Sequence, residues 1–135
     1  MRFFWLIMFL ALFAVPAPAA EDTPTDAFEQ YSLGGKYLTG EGVDQDEKKA
    51  NILFRKAADQ GLAIAQYYLS RDYADGRGVD RDNVEAFFWI SLAAQGGDKF
   101  IVDYRDTLAQ KMTPEQIYDI QKRVDAWKPT VAPPR

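Results

Sequence analysis

A single period organises this chain. Shifting the sequence by 36 positions lays Ala27–Gly61 over Ala63–Gly97 with identical residues at 14 of the 35 aligned places. The stretches "GEGVDQD" (40–46) and "GRGVDRD" (76–82) agree at five of seven letters, and Gln30, Tyr31, Leu33, Tyr37, Ala50, Ala57 and Ala58 all return one period later. A period of this size marks a supersecondary unit that cannot bury its apolar side alone and stacks on its neighbours.

Within each unit the apolar letters recur every three or four residues, which predicts two helices. The first begins after Asp26, with Glu29 three places on, carries Phe28, Tyr31, Leu33, Gly34, Tyr37 and Leu38, and stops at Gly40. The second begins at Asp46, aligns Ala50, Leu53, Phe54, Ala57 and Ala58, and ends at Gly61. One period later the same roles fall to Ala65, Leu69 and Tyr73, then to Asp82 as cap before Ala86, Trp89, Ile90, Ala93 and Ala94. In "FFWI" (87–90), Trp89 and Ile90 face the core, and Phe87 and Phe88 are expected against the next helix pair. Small residues, Gly34, Ser70 and the Ala-Ala pairs, stand where helices must approach.

After Gly97 the repeat weakens while the helical spacing continues. "DKFIVDYRDTLAQKM" sets Phe100, Ile101, Tyr104 and Leu108 on one side. "TPEQIYDIQKRVDAW" opens with Thr113, Pro114 and Gln116, a capping box with proline at the first helical position, and carries Ile117, Ile120, Val124 and Trp127. The expected order is repeats at 26–61 and 62–97, a degenerate helical pair over 98–127 as cap, and a proline-rich tail, "KPTVAPPR" (128–135), expected to be disordered.

Both units carry Ala-x-x-Gln-aromatic-x-Leu-small, then Gly-x-Gly-Val, Asp, Ala and a closing Ala-Ala-x-x-Gly. In these letters the chain resembles the Sel-one-like repeats, a branch of the tetratricopeptide-like helical solenoids, and "LAQKMTPEQIYDIQKRVDAW" is similar to the ending of many bacterial members. The resemblance implies an all-α, right-handed helix-turn-helix solenoid that works as an adaptor or regulator of another protein, often in the bacterial envelope. It also implies that the first helix of each unit lines the concave side. On that side the positions at which the units differ, Gly35, Lys36 and Thr39 with Tyr68, Arg71, Asp72 and Asp75, are the candidate partner contacts, Tyr and Arg being frequent hot spots. An ordinary solvated helix face is the competing reading. Leu53 departs from the family's usual tryptophan, which Trp89 supplies in the second unit.

The N-terminus carries a different signal. Arg2, the thirteen apolar residues Phe3–Val15 and then "PAPAA" read as a secretory segment with cleavage after Ala19, followed by a linker at 20–25. Thirteen residues fall short of the ~20 that span a bilayer as a helix. An uncleaved anchor is the alternative. Cleavage places the product in the periplasm or outside the cell, with no membrane insertion. Losing Arg2 leaves 15 Lys plus Arg against 20 Asp plus Glu, a net charge of −5, and with no basic cluster this argues against nucleic acid as a partner. With no cysteine, packing alone must hold an exported domain of this size.

Candidate chemistry is sparse. The absence of His and Cys removes the imidazole base, the thiolate nucleophile and the usual zinc ligands, and Ser32, Ser70 and Ser91 have no basic partner motif. Asp44 with Asp46 and Asp80 with Asp82 are the remaining carboxylate pairs. Asp46 and Asp82 stand where helix caps belong, however, and neither loop has both the sixth-position glycine and twelfth-position glutamate of a calcium loop. Gly40, Gly42, Gly76 and Gly78 are assigned to turns for the same reason. No catalytic residue, metal or cofactor is expected. The expected partner is another protein, with the chain itself a monomer or weak homodimer. An inhibitor or immunity protein acting on an envelope enzyme, a scaffold, and a carboxylate hydrolase using Asp44 and Asp80 are the competing functions.

Overall fold

The computed structural model describes residues 24–130, so the secretory segment, most of the linker and residues 131–135 lie outside the described residues. Six α-helices follow one another: α1 (Ala27–Thr39), α2 (Glu47–Asp59), α3 (Ala63–Asp75), α4 (Asn83–Ala93), α5 (Lys99–Ala109) and α6 (Pro114–Ala126), with a 3-10 turn at Ala94–Gly96. Among the described residues there is no strand, and the all-helical repeat architecture read from the period is borne out.

Local chemistry sets the boundaries. Asp26, Asp46, Asp82, Asp98 and Thr113 each accept backbone N–H groups at a helix start, and Thr113 with Gln116 closes the capping box. Gly40 and Gly76 end α1 and α3 in the left-handed region, at φ 76° and 71°. At the end of α2, Gly61 (φ 92°) and Leu62 return their N–H groups to Ala58 and Ala57, so α3 starts directly without a side-chain cap.

α1 packs along α2, α3 along α4, and α2 against α3, which makes two hairpins stacked through their inner helices. Gly34 meets Phe54 so closely that a Cβ there would sit 2.8 Å from the ring. In the second unit Ser70 takes that place and donates its hydroxyl to the Ala86 carbonyl at 2.6 Å. α4 is buried at seven of its eleven positions, Phe87 and Phe88 among them, because α3, α5 and α6 all lie against it. Its near-continuous apolar sequence is what such a central helix requires.

The cap departs from expectation in one respect. α5 and α6 scarcely meet, and both pack on α4 instead of on each other. They close the stack, but not as a third hairpin. α6 is tied to α4 by an Arg123–Glu85 ion pair at 2.7 Å and by the Arg123 guanidinium 4.2 Å from the Phe88 ring. Its end then reaches the first unit, where Trp127 and Pro129 lie over Gly61 and the Thr130 N–H donates to the Asp59 carbonyl at 2.8 Å. The chain therefore stays on the body through Thr130, three residues past the point where a disordered tail was expected to begin.

Candidate functional site

The twin loops are built as joints. In each, the cap Asp returns its own N–H to a tyrosine one helix back, Asp46 to Tyr37 and Asp82 to Tyr73, both at 2.9 Å. The Asp46 carboxylate accepts from Lys49 N, and that of Asp82 from Val84 N and Glu85 N. With their oxygens turned to the backbone, these carboxylates are not paired for acid–base work. Among the described residues no group of three acidic side chains comes together as a metal cage. Gly42 and Gly78 share a positive φ, of 74° and 68°, but only Gly78 is crowded, since a Cβ there would lie 2.3 Å from the Glu47 carbonyl oxygen.

The other candidate residues separate by burial. Lys36, Thr39 and Asp75 are exposed, Arg71 is half-buried, and Tyr68 is half-buried between its stack on Phe54 (5.3 Å) and Tyr31 (5.8 Å). Tyr68 therefore joins the two units as much as it faces outward. Asp72, expected at the surface, is 1% exposed. Its carboxylate accepts from the Asn51 amide of α2 at 3.2 Å and lies 3.6 Å from the Arg77 guanidinium. Burial raises its pKa to about 6 in spite of Asn51 and Arg77, which favour the charged form, while Glu47 and Asp75 push the same way as burial. Asp72 locks α3 to α2 and is corrected to a structural residue.

A different set of side chains reaches the surface of the same helices. Phe28 is 65% exposed, Ile64 37% and Phe100 66%, and the three lie one period apart, second in α1, α3 and α5. The helical spacing counts Phe28 and Phe100 among the apolar positions that pack, and does not single out Ile64. The period carried the signal, because adding 36 to Phe28 and then to Ile64 finds an exposed apolar residue at the same place in each unit; Ile52 and Tyr118 are exposed as well but do not share that place. Ring contacts link Phe28 to Phe100: Phe28 to Tyr31 (6.2 Å), Tyr31 to Tyr68, Tyr68 to Tyr67 (5.5 Å), and Tyr67 to both Phe100 (5.5 Å) and Tyr104 (5.6 Å), while Ile64 stands on the same helix as Tyr67 and Tyr68. Burial, and then Tyr68, raises the pKa of Tyr31; burial, and then Asp75, raises that of Tyr104. Scattered exposed apolar residues are ordinary, whereas a connected set at one repeat position marks an interaction face.

Residues 30–62 and 63–98 each match the Sel1 repeat family model. The chain belongs to the Sel1 repeat family. This Sel1 repeat protein is similar to a protective antigen of uropathogenic Escherichia coli strains with an SLR fold, at 30% identity and a TM-score of 0.67, over 82% of this chain and 27% of that one. It is also similar to a Sel1 repeat protein from Oxalobacter formigenes, at 39% identity and a TM-score of 0.59, over 61% of this chain and 24% of that one. The chain thus spans about a quarter of the length of these solved relatives. No curated protein matches it. Sel1 repeat proteins generally mediate protein–protein interaction and are typically non-catalytic scaffolds.

The divergence of α5 and α6 leaves one recess in this Sel1 repeat protein. A cavity of about 350 Å³ opens between them, floored by Phe87, Ser91 and Ala94 of the α4 end and edged by Arg105, Ile117 and Gln121. Arg105 gives its Nε and Nη2 hydrogens to Asp106, and Gln121 its amide to Asp125. Among the described residues no helix is long and apolar enough to cross a membrane.

Proposed function

We propose that this Sel1 repeat protein is an exported, non-enzymatic adaptor of the bacterial envelope that takes a segment of a partner protein on the face formed by α1, α3 and α5. The exposed apolar triad Phe28, Ile64 and Phe100, one residue per unit, with Phe28 and Phe100 linked through the Tyr31, Tyr68 and Tyr67 rings, carries this reading. A solenoid displays one equivalent position per repeat along a line, which suits an extended partner segment that touches each unit in turn. The apolar N-terminal segment and its Ala17-x-Ala19 site support export.

The test combines fractionation with capture from envelope extract. Mass analysis of the exported product should read a chain starting at Ala20, and an intact Met1 overturns cleavage. A triple variant, Phe28→Ser, Ile64→Ser and Phe100→Ser, should fold normally, because these side chains are exposed, and should lose the partner that the wild type retains. Equal recovery by both proteins sinks the assignment of this face. Tyr68→Ala is the poorer probe, since it also cuts the Phe54–Tyr68 stack between units.

A further inference from the structure

The chemistry of the docked segment can be read one step further, resting on the assignment of the α1–α3–α5 face. On α3 the residues Ile64, Tyr67, Tyr68 and Arg71 follow at helical spacing along one side, and Phe100 of α5 lies beside Tyr67. The Arg71 guanidinium rests 5.8 Å from the Tyr67 ring centre, with Nη1 3.5 Å from the Tyr67 hydroxyl. Neighbouring cations are each matched by an anion: Lys99 with Asp103 at 2.6 Å, Arg105 with Asp106 at 2.7 Å, and Arg77 with Asp72 and Asp75 at 3.6 and 3.7 Å. Among the described residues Arg71 has no carboxylate within 4.0 Å; Asp75 acts on it only from farther away. Burial opposes its charge, yet Tyr67 and Asp75 keep it fully protonated.

This arrangement constrains an occupant. The Arg71 guanidinium and the Phe100 ring lie 5.8 Å and 5.5 Å from the Tyr67 ring centre, so a segment seated on Ile64 and Phe100 and packed against this group lies beside Arg71 and takes its guanidinium out of water. A wholly apolar segment would strand a buried charge, at a cost exceeding what the apolar contact returns. A carboxylate laid on the guanidinium fork removes that cost and adds paired, charge-assisted hydrogen bonds. We propose that Arg71 is a carboxylate-recognition residue and that the partner segment is acidic-apolar, with an internal Asp or Glu seated on Arg71 between apolar side chains resting on Ile64 and Phe100. The Tyr67 ring under the guanidinium holds it in place for that contact.

Random linear peptides displayed on phage and selected on the full chain test this, with counter-selection on the Phe28→Ser, Ile64→Ser, Phe100→Ser variant. Binders that require the triad are expected to be enriched in an internal Asp or Glu flanked by apolar residues. For a synthetic binder, changing that acid to its amide should weaken affinity roughly tenfold, the scale of one lost charge-assisted bond. Arg71→Gln should lose the same factor against the acid peptide and show no further loss against the amide. Triad-dependent binders without acid enrichment overturn the carboxylate inference while leaving the face assignment standing, as does an equal acid-to-amide loss in Arg71→Gln. Enrichment confined to a free C-terminus also overturns the internal-acid form. Binders indifferent to the triad sink the face assignment itself.

Discussion

The two repeats differ most where they have different neighbours. Glu29, Ser32 and Lys36 of α1 occupy the positions of Ala65, Tyr68 and Asp72 in α3, one period on. In the second unit two of these residues are buried and Tyr68 is half-buried, whereas in the first all three are exposed. Among the described residues a unit is packed before α3 and none before α1, so the same side of the helix is core in one and exposed in the other. Polar residues at these α1 positions suit a helix side that the described units leave uncovered. A letter that changes between repeats therefore reports position in the stack first and partner contact second.

The loops give the strongest way to break this comparison. Gly42 and Gly78 hold equivalent places with φ of 74° and 68°, but a Cβ at Gly42 meets nothing within 4 Å, while one at Gly78 would strike the Glu47 backbone. Gly42→Ala should cost only the left-handed strain, about 1–2 kcal/mol. Gly78→Ala should cost roughly twice that or more, because the loop must also lift off the start of α2. Urea unfolding of the two variants checks this, and equal midpoints would show that the second loop does not rest on α2.

Next in size is the close approach of each pair. Gly34→Ala drives a Cβ to 2.8 Å from the Phe54 ring, an overpacking worth about 1–3 kcal/mol. The second unit combines a larger residue, Ser70, with the slimmer Ile90 at the Phe54 position. Transplanting that solution, Phe54→Ile on top of Gly34→Ala, should recover part of the loss. A double-mutant cycle without coupling would mean that the two units achieve their packing independently of these pairs.

These contrasts also show what was legible in the sequence and why. Caps and turns were readable because each depends on a few adjacent residues: Asp46 and Asp82 need only the N–H groups of the next turn. The stacking was readable because it repeats. The burial of Asp72 was not, since it depends on Asn51 from the helix of the preceding unit and on Arg77 from the following loop, where the first unit has Glu41. The exposure of Phe100 was equally hidden. α5 has its apolar stripe, but α6 packs on α4, so no helix among the described residues covers Phe100.

Asp72 also gives the second unit a pH dependence of its own. With its folded pKa raised to about 6, from an ordinary value of 3.8, the folded protein holds a proton between those limits that the unfolded chain has released. This contribution to stability is present in full below about pH 4 and is lost as pH rises through about 6. The stability difference between wild type and Asp72→Asn should therefore shift against the wild type across that window and level off above it, as read from urea midpoints at a series of pH values. A flat difference would show that Arg77 and Asn51 keep the buried carboxylate as readily ionised as an exposed one.

The smallest expected effect separates two adjacent glycines. Gly34 and Gly35 both sit inside α1, where glycine costs about 0.5–1 kcal/mol relative to alanine. Gly34 is required by the Phe54 ring, whereas a Cβ at Gly35 would meet nothing within 4 Å. Gly35→Ala should therefore raise stability by about that amount while Gly34→Ala lowers it. The gain should also appear as slower hydrogen exchange along α1. If Gly35→Ala instead destabilises the fold, the bare backbone at Gly35 has a role on the α1 surface that its open surroundings do not show. The first repeat would then owe its glycine pair to more than the approach of Phe54.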